Sequence, residues 1–180
     1  MTKSEEMKKK QSTEENVEFV ETLLNVRRVA KVVRGGRRFG FSALVVVGDR
    51  NGKLGIAFGK GREVSTAISK AFKRARKTMF VVPLHDTTIP FKVEGRHGAS
   101  RVLIRAASKG TGVIAGGAVR SMMEAVGVKD VLAKSIGSKC PQNVARATVD
   151  AFMKLRSASH IAHLRGKTVR QLIEGSDVTA

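Results

Sequence analysis

Apolar and polar residues alternate at the start of the chain's first structured stretch. Leu24, Val26, Ala30 and Val32 fall on one side, with Asn25, Arg27 and Lys31 on the other. That period is the mark of a half-buried strand, and Arg28 breaks it. The next run, Phe41 to Val47, is richer in apolar residues. Asp49-Arg50-Asn51-Gly52 follows, and Asn-Gly is a strong hairpin signal. Leu54, Ile56 and Phe58 then alternate with Gly55, Ala57 and Gly59. Three antiparallel strands are predicted. From Arg62 the period lengthens to that of a helix: Val64, Ala67, Ile68, Ala71, Phe72, Ala75 and Met79 share one face, and Lys70, Lys73, Arg74, Arg76 and Lys77 the other. The apolar face is expected to cover the sheet.

Pro83, Pro90 and the polar Asp86-Thr87-Thr88 between them mark a linker. Beyond it, Phe91 to Glu94 and Arg101 to Ala106 read as strands. Gly116 to Val126 reads as a helix with Val119, Met122, Met123 and Val126 on one face. Asp130 to Ile136 reads as a strand. Pro141 suits the first position of a further helix, whose apolar stripe is Val144, Ala147, Thr148, Ala151, Phe152 and Leu155. Thr168 to Glu174 reads as a short terminal helix. The expected class is α+β, with a flexible extension at 1–16, a sheet-and-helix domain at 17–85, a β-α-β-α domain at 86–165 and a tail at 166–180. No internal repeat is visible.

Charge changes this picture. The 180 residues carry 34 Lys and Arg against 15 Asp and Glu, a formal net charge of +19. Both halves are basic, which argues against a neutral enzyme fused to a basic tail. Clustered Lys and Arg at this density are the electrostatic footprint of nucleic-acid binding. Trp and Tyr are absent and Phe numbers eight, so there is little material for stacking bases on aromatic platforms. Phosphate contacts and RNA shape are the better expectation. The basic face of the 62–79 helix either binds RNA or is merely solvated. Cys140 stands alone, which excludes an internal disulfide and fits a reducing compartment. No apolar run approaches membrane-spanning length, and the first residues lack the apolar core of a signal peptide.

The densest chemistry lies between Arg27 and Arg62, where Asp49 is the one acidic residue. Gly35 and Gly36, flanked by Arg34, Arg37 and Arg38, let the backbone approach a partner while guanidinium forks reach phosphate oxygens. Arg27, Arg28 and Lys31 extend the same surface. Lys53, Lys60 and Arg62 are second-tier candidates, because exposed cations are often only solvated. In the second half, Arg96, Arg101, Arg105, Lys109 and Arg120 are candidates for RNA or a neighbouring protein.

Other motifs carry less. Arg37-Arg38-Phe39-Gly40-Phe41 approximates the strand signature of RRM domains, but Arg38 and Leu44 break the match. Gly110-Thr-Gly112-Val-Ile-Ala-Gly116 approximates a dinucleotide fingerprint, one residue too long and without the ribose-binding acid. It reads as a phosphate-cradling loop or as a tight turn from strand to helix. Gly166-Lys167-Thr168 lacks the first glycine of a P-loop, since Ile161 stands there. Gly52-Lys-Leu-Gly55 fits a KH loop but sits in a hairpin. His160 and His163 have no Cys or carboxylate cluster nearby, no spacing suggests a catalytic triad, and Cys140 reads as a residue at a helix start. No catalytic residue, metal site or cofactor is expected.

Several of these segments together resemble one family. They are Val32-Val-Arg-Gly-Gly-Arg37, Val46-Val-Gly-Asp-Arg-Asn-Gly52, Gly59-Lys60, Gly110-Thr-Gly-Val-Ile-Ala-Gly-Gly-Ala-Val-Arg120, Val131-Leu-Ala-Lys134 and Asn143-Val-Ala-Arg-Ala-Thr148. Their ordered set, over about residues 17–175, is similar to the bacterial-type small-subunit ribosomal protein S-five family. The resemblance implies an N-terminal domain like those that bind double-stranded RNA and a C-terminal β-α-β-α domain. It implies a structural role in the small ribosomal subunit of the cytoplasm: binding small-subunit rRNA, supporting assembly and lining the path by which mRNA enters. The implied neighbours are proteins S-three, S-four and S-eight, with no membrane. The segment Ala30 to Arg37 matches the hairpin near the spectinomycin site. Positions around Gly112 and Arg120 match the contact with S-four that influences decoding accuracy. Gly61 and Ser65 stand where the family often has Ala and Pro, a change expected to loosen the helix start. Cys140 replaces a common polar cap.

Two competing readings follow from the residues alone. A small nucleotide-dependent enzyme would use the Gly110–Gly116 loop, but no acid, base or nucleophile accompanies it. A free RNA chaperone would bind many duplexes without residing in ribosomes.

Overall fold

The computed structural model describes residues 19–175; the extension at 1–16 and the last five residues of the tail lie outside them. The first sheet is an antiparallel meander of β1 (Val20–Val33), β2 (Gly36–Gly48), β3 (Lys53–Gly61) and β4 (Phe80–Val81), in that order. The two-residue β4 adds an unpredicted edge to the three strands. Helix α1 (Val64–Lys77) lies on one face of the sheet, with Ala67, Ala71 and Ala75 buried. Its close seat depends on β3. A side-chain carbon at Gly59 would overlap the Ala67 carbonyl, and one at Gly55 the Ala75 carbonyl. Met79 lies past the end of the helix, yet it still reaches over Gly55. The helix start is regular, and a Cβ at Gly61 would come within 2.8 Å of the Ala67 amide nitrogen.

The opposite face of that sheet carries Leu44, Val46 and Leu54, which share one apolar cluster with the second half of the chain. There β5 (Val93–His97), β6 (Ser100–Ala106), β7 (Val113–Ile114) and β8 (Val131–Gly137) form a sheet ordered β5-β6-β8-β7, with β7 parallel to β8 and the other pairs antiparallel. Helices α2 (Gly117–Val126) and α3 (Pro141–Lys154) contribute the buried Met122, Met123, Val126 and Phe152 to the common core. Two short helices follow, α4 (Ala158–Leu164) and α5 (Val169–Glu174). Ser157 caps α4, and a Thr168–Gln171 capping box starts α5. The P-loop-like Gly166-Lys167-Thr168 is thus the start of a helix.

Three further differences from the sequence pattern have physical causes. A β-bulge between Leu23 and Asn25 shifts the β1–β2 register, so Leu24 packs with the shared core while Val26 packs beneath α1. The presumed linker is strapped in place: Val82 and Ile89 are buried, the Val82 amide donates to the Gly52 carbonyl at 2.7 Å, and the Thr87 carbonyl accepts from the amides of Lys129 and Asp130. The 49–52 loop is organised by Asp49 rather than by Asn-Gly alone. Its carboxylate accepts from the amides of Asn51 and Lys53, both at 2.8 Å, and the left-handed residues are Arg50 and Gly52.

Candidate nucleic-acid interface

β3 pairs with β2 only as far as Phe41, opposite Gly61. β1 and β2 continue beyond that point, from Arg28 paired with Phe41 to Val33 paired with Gly36. Six residues of strand span about 20 Å, so a two-stranded ribbon projects from the domain with no third strand and no helix against it among the described residues. The half-buried strand read from the β1 pattern is therefore exposed along this stretch. Val32, on its apolar side, is 74% accessible.

The pleat divides the ribbon's cations between two faces. Cross-strand partners share a face, so Arg27 (opposite Ser42) and the Lys31–Arg38 pair lie on one side. Arg28 (opposite Phe41) and Arg37 (opposite Val32) lie on the other, the side that carries α1. Arg34 and Gly35 form the turn at the tip. Gly36 has φ 128°, and a Cβ built on Gly35 or Gly36 would meet nothing within 4 Å. The backbone there is uncovered.

Sequence reasoning missed Phe39 as a member of this surface. Phe39 is 52% exposed, and the Arg28 guanidinium carbon sits 4.6 Å from its ring centroid. Arg28, which breaks the apolar alternation, thus has a place on an exposed aromatic. The signal was present in Arg37-Arg38-Phe39, where a phenyl follows two cations.

The second-tier residues lie closer to the body. Lys60 is cross-strand from Ser42, which is in turn opposite Arg27, so it borders the same face. Its ammonium is 5.7 Å from the Phe58 centroid. Lys53 sits by the 49–52 loop, and Arg62 is exposed beyond β3.

The remaining candidates belong to the second sheet. Its inner face, with Val93, Val102, Ile104 and Val131, is buried. The alternate residues, among them Arg96, Arg101, Arg105 and Lys134, form an open face on which Leu132 and Ile136 are also exposed. Arg96 and Arg101 are directly opposite, and Arg101 lies 3.9 Å from Glu94. Arg120 bonds Glu124 one turn along α2, at 3.1 Å. Lys109 is exposed in the loop after β6.

The first turn of that loop already holds a carboxylate. The Asp130 carboxylate accepts from the amides of Gly110 and Gly112, both at 3.0 Å. Gly112 first, then the Thr87 hydroxyl and the amides of Gly110 and Thr111, hold the carboxyl below its ordinary range, against the opposing effect of burial. The amides that would cradle an anion already hold one from the chain itself. At Gly110–Gly112 the phosphate-cradling reading is therefore replaced by an internal carboxylate.

Residues 19–83 match the family model described as ribosomal protein S5, N-terminal domain, and residues 95–165 match its C-terminal counterpart. The chain is 51% identical over 156 residues to small ribosomal subunit protein uS5 of Syntrophobacter fumaroxidans, covering 87% of this chain and 94% of that protein. It is 53% identical over 161 residues to the protein of that name from Acidithiobacillus ferrooxidans, covering 89% and 92%. The chain belongs to the ribosomal protein S5 family. The Lawsonia intracellularis relative is 54% identical over 149 residues, covering 83% of this chain and 91% of its own length. As a member of the S5 family, the chain is a structural, non-enzymatic constituent of the small ribosomal subunit and a partner of its RNA. Among the described residues no helix is long and apolar enough to cross a membrane.

Proposed function

We propose that the β1–β2 ribbon is the principal rRNA-binding element, inserted where RNA segments converge. The observation that carries this is the ribbon's overrun past the Phe41–Gly61 pair with cations on both faces. Arg27, Lys31 and Arg38 neutralise phosphates on one side, Arg28 and Arg37 on the other, and Arg34 at the tip. Gly35 and Gly36 give backbone access. Lys53, Lys60 and Arg62 add contacts near the body. Such contacts position the protein rather than read sequence. An isolated two-stranded ribbon is marginal in water, so RNA on both faces also supplies the support that the domain does not.

The second unit serves neighbouring proteins. Its open face combines exposed Ile114, Leu132 and Ile136 with Arg96, Arg101 and Arg105, and aliphatic side chains among cations suit a protein surface better than stacked bases. We assign the contact with S-four to the edge around Gly112 and Arg120, with Lys109 beside it. Contacts with S-eight and S-three, the path of entering mRNA and the spectinomycin site near Ala30–Arg37 belong to the same reading. So do the cytoplasmic location and the division into 1–16, 17–85, 86–165 and 166–180.

The test is the salt dependence of binding to small-subunit rRNA. Replacing Lys31, Arg34, Arg37 and Arg38 with Ala removes four counterion-releasing contacts. The slope of log K against log salt should fall by about 3. An unchanged slope would remove the ribbon from the interface.

A further inference from the structure

The outer face of α1 remains unaccounted for. The helix has no acidic residue from Val64 to Lys77, and its basic side resolves into two groups. Arg76 is engaged: it bonds the Glu21 carboxylate at 2.7 Å and lies 6.0 Å from the Phe19 ring. Arg74 donates to the Phe58 carbonyl at 3.1 Å. Lys70, Lys73 and Lys77 have no hydrogen-bond or ion-pair partner among the described residues. They border a shallow trough with Thr66, Ser69 and Arg74.

The spacing is that of a single stripe. Lys70, Lys73 and Lys77 follow one another at three and four residues, so their charges are neighbours and repel. The helix macrodipole accounts for basic residues in the last turn, but Lys70 and Lys73 precede it. A folded chain at +19 gains nothing from three adjacent ammonium groups. A polyanion laid along the stripe removes the repulsion.

The chemistry of the trough selects the kind of anion. It contains no apolar side chain, so it lacks the buried anchor of a protein interface. The helix's apolar face is already used against the sheet, so α1 cannot also insert into a lipid surface. Ammonium groups interleaved with the Thr66 and Ser69 hydroxyls are the donor set that meets phosphate and ribose oxygens.

We infer that the Lys70–Lys73–Lys77 stripe of α1 is a second RNA-backbone site, separate from the ribbon, so that one domain holds RNA at two places. This rests on the RNA-binding reading of the chain and adds a surface to it. The RNA is either the structural RNA of the subunit or a message passing through it; the phosphate chemistry is the same.

Lysine acetylation read by mass spectrometry tests the stripe in assembled subunits. The expected result is that Lys70, Lys73 and Lys77 react at least several-fold more slowly in the subunit than in the free protein. Protection in message-free subunits assigns structural RNA; protection only after loading a long mRNA assigns the message. Reaction at the free-protein rate in both states overturns the proposal, as does protection that survives nuclease digestion, which would mean a protein neighbour. In parallel, the full-length Lys70→Gln, Lys73→Gln, Lys77→Gln variant should bind the RNA so assigned, rRNA or a long mRNA, with a salt slope lower by about 2 to 3. The ribbon variant measured beside it separates the two sites: loss in one and not the other refutes only the silent one.

Discussion

The carbonyl of Arg50 occupies the space where a side chain on Gly127 would begin. Arg50 is in the 49–52 loop of the first sheet, and Gly127 ends α2 in a left-handed conformation, φ 98°. Around this contact, the Arg50 amide donates to the Ala125 carbonyl at 3.0 Å and the Gly52 amide to that of Val126 at 2.9 Å. The loop thereby satisfies carbonyls left open at the end of α2, and the two halves meet backbone to backbone.

Gly127→Ala is expected to destabilise the whole chain, because it combines a disfavoured φ with the loss of this approach. The cost should be at least about 1–3 kcal/mol, read from urea unfolding of the full-length protein. Arg50→Ala should change little by comparison, since the loop contributes its backbone. A Gly127→Ala variant as stable as the parent would mean that the halves do not dock this way.

Asp130 gives the structure a pH dependence. Its folded-state pKa is lowered, chiefly by the Gly112 amide. A lowered pKa contributes stability that is present above the ordinary carboxyl value, about 3.9. That stability is lost as pH falls through the folded-state value. Asp130→Asn should therefore be less stable at neutral pH and should lose less on acidification. Parallel acid-unfolding curves of the two proteins, offset by the same amount at every pH, would contradict the assignment.

Two valines of the first sheet should differ sharply. Val45 is fully buried beneath α1, while Val32 on the ribbon is 74% exposed. Val45→Ala should cost about 2 kcal/mol from lost burial and the cavity left. Val32→Ala should stay within about 0.5 kcal/mol. Thermal or urea unfolding checks both, and equal losses would mean that the ribbon folds back on the body.

Much of the local structure was legible along the chain. The stripe of Ala67, Ala71 and Ala75 identified α1, because apolar residues recurring at helical spacing over several turns fit a helix and not a strand. Pro141 marked the first turn of α3, and the Arg- and Gly-rich turn at 34–38 marked the basic hairpin. The family resemblance in the ordered motifs was equally readable, since each segment is a run of neighbours. The two-residue strands β4 and β7 were not legible, being shorter than any period. Helix α4 carries one local signal, Ser157 as an N-cap, but its seven residues are too few for an apolar stripe to develop.

Sequence alone thus determined the elements, the excess of positive charge and the family, all of which depend on residues near one another or on their totals. Tertiary structure decided what those elements face. Whether β1 is buried depends on where β3 stops, at the Phe41–Gly61 pair. Whether the amides of Gly110 and Gly112 can hold a phosphate depends on Asp130, brought to them by β8 pairing with β7. Which cations of α1 remain available depends on Glu21, 55 residues away in the chain. Each is a contact between segments distant in sequence, and periodicity carries no information about such contacts.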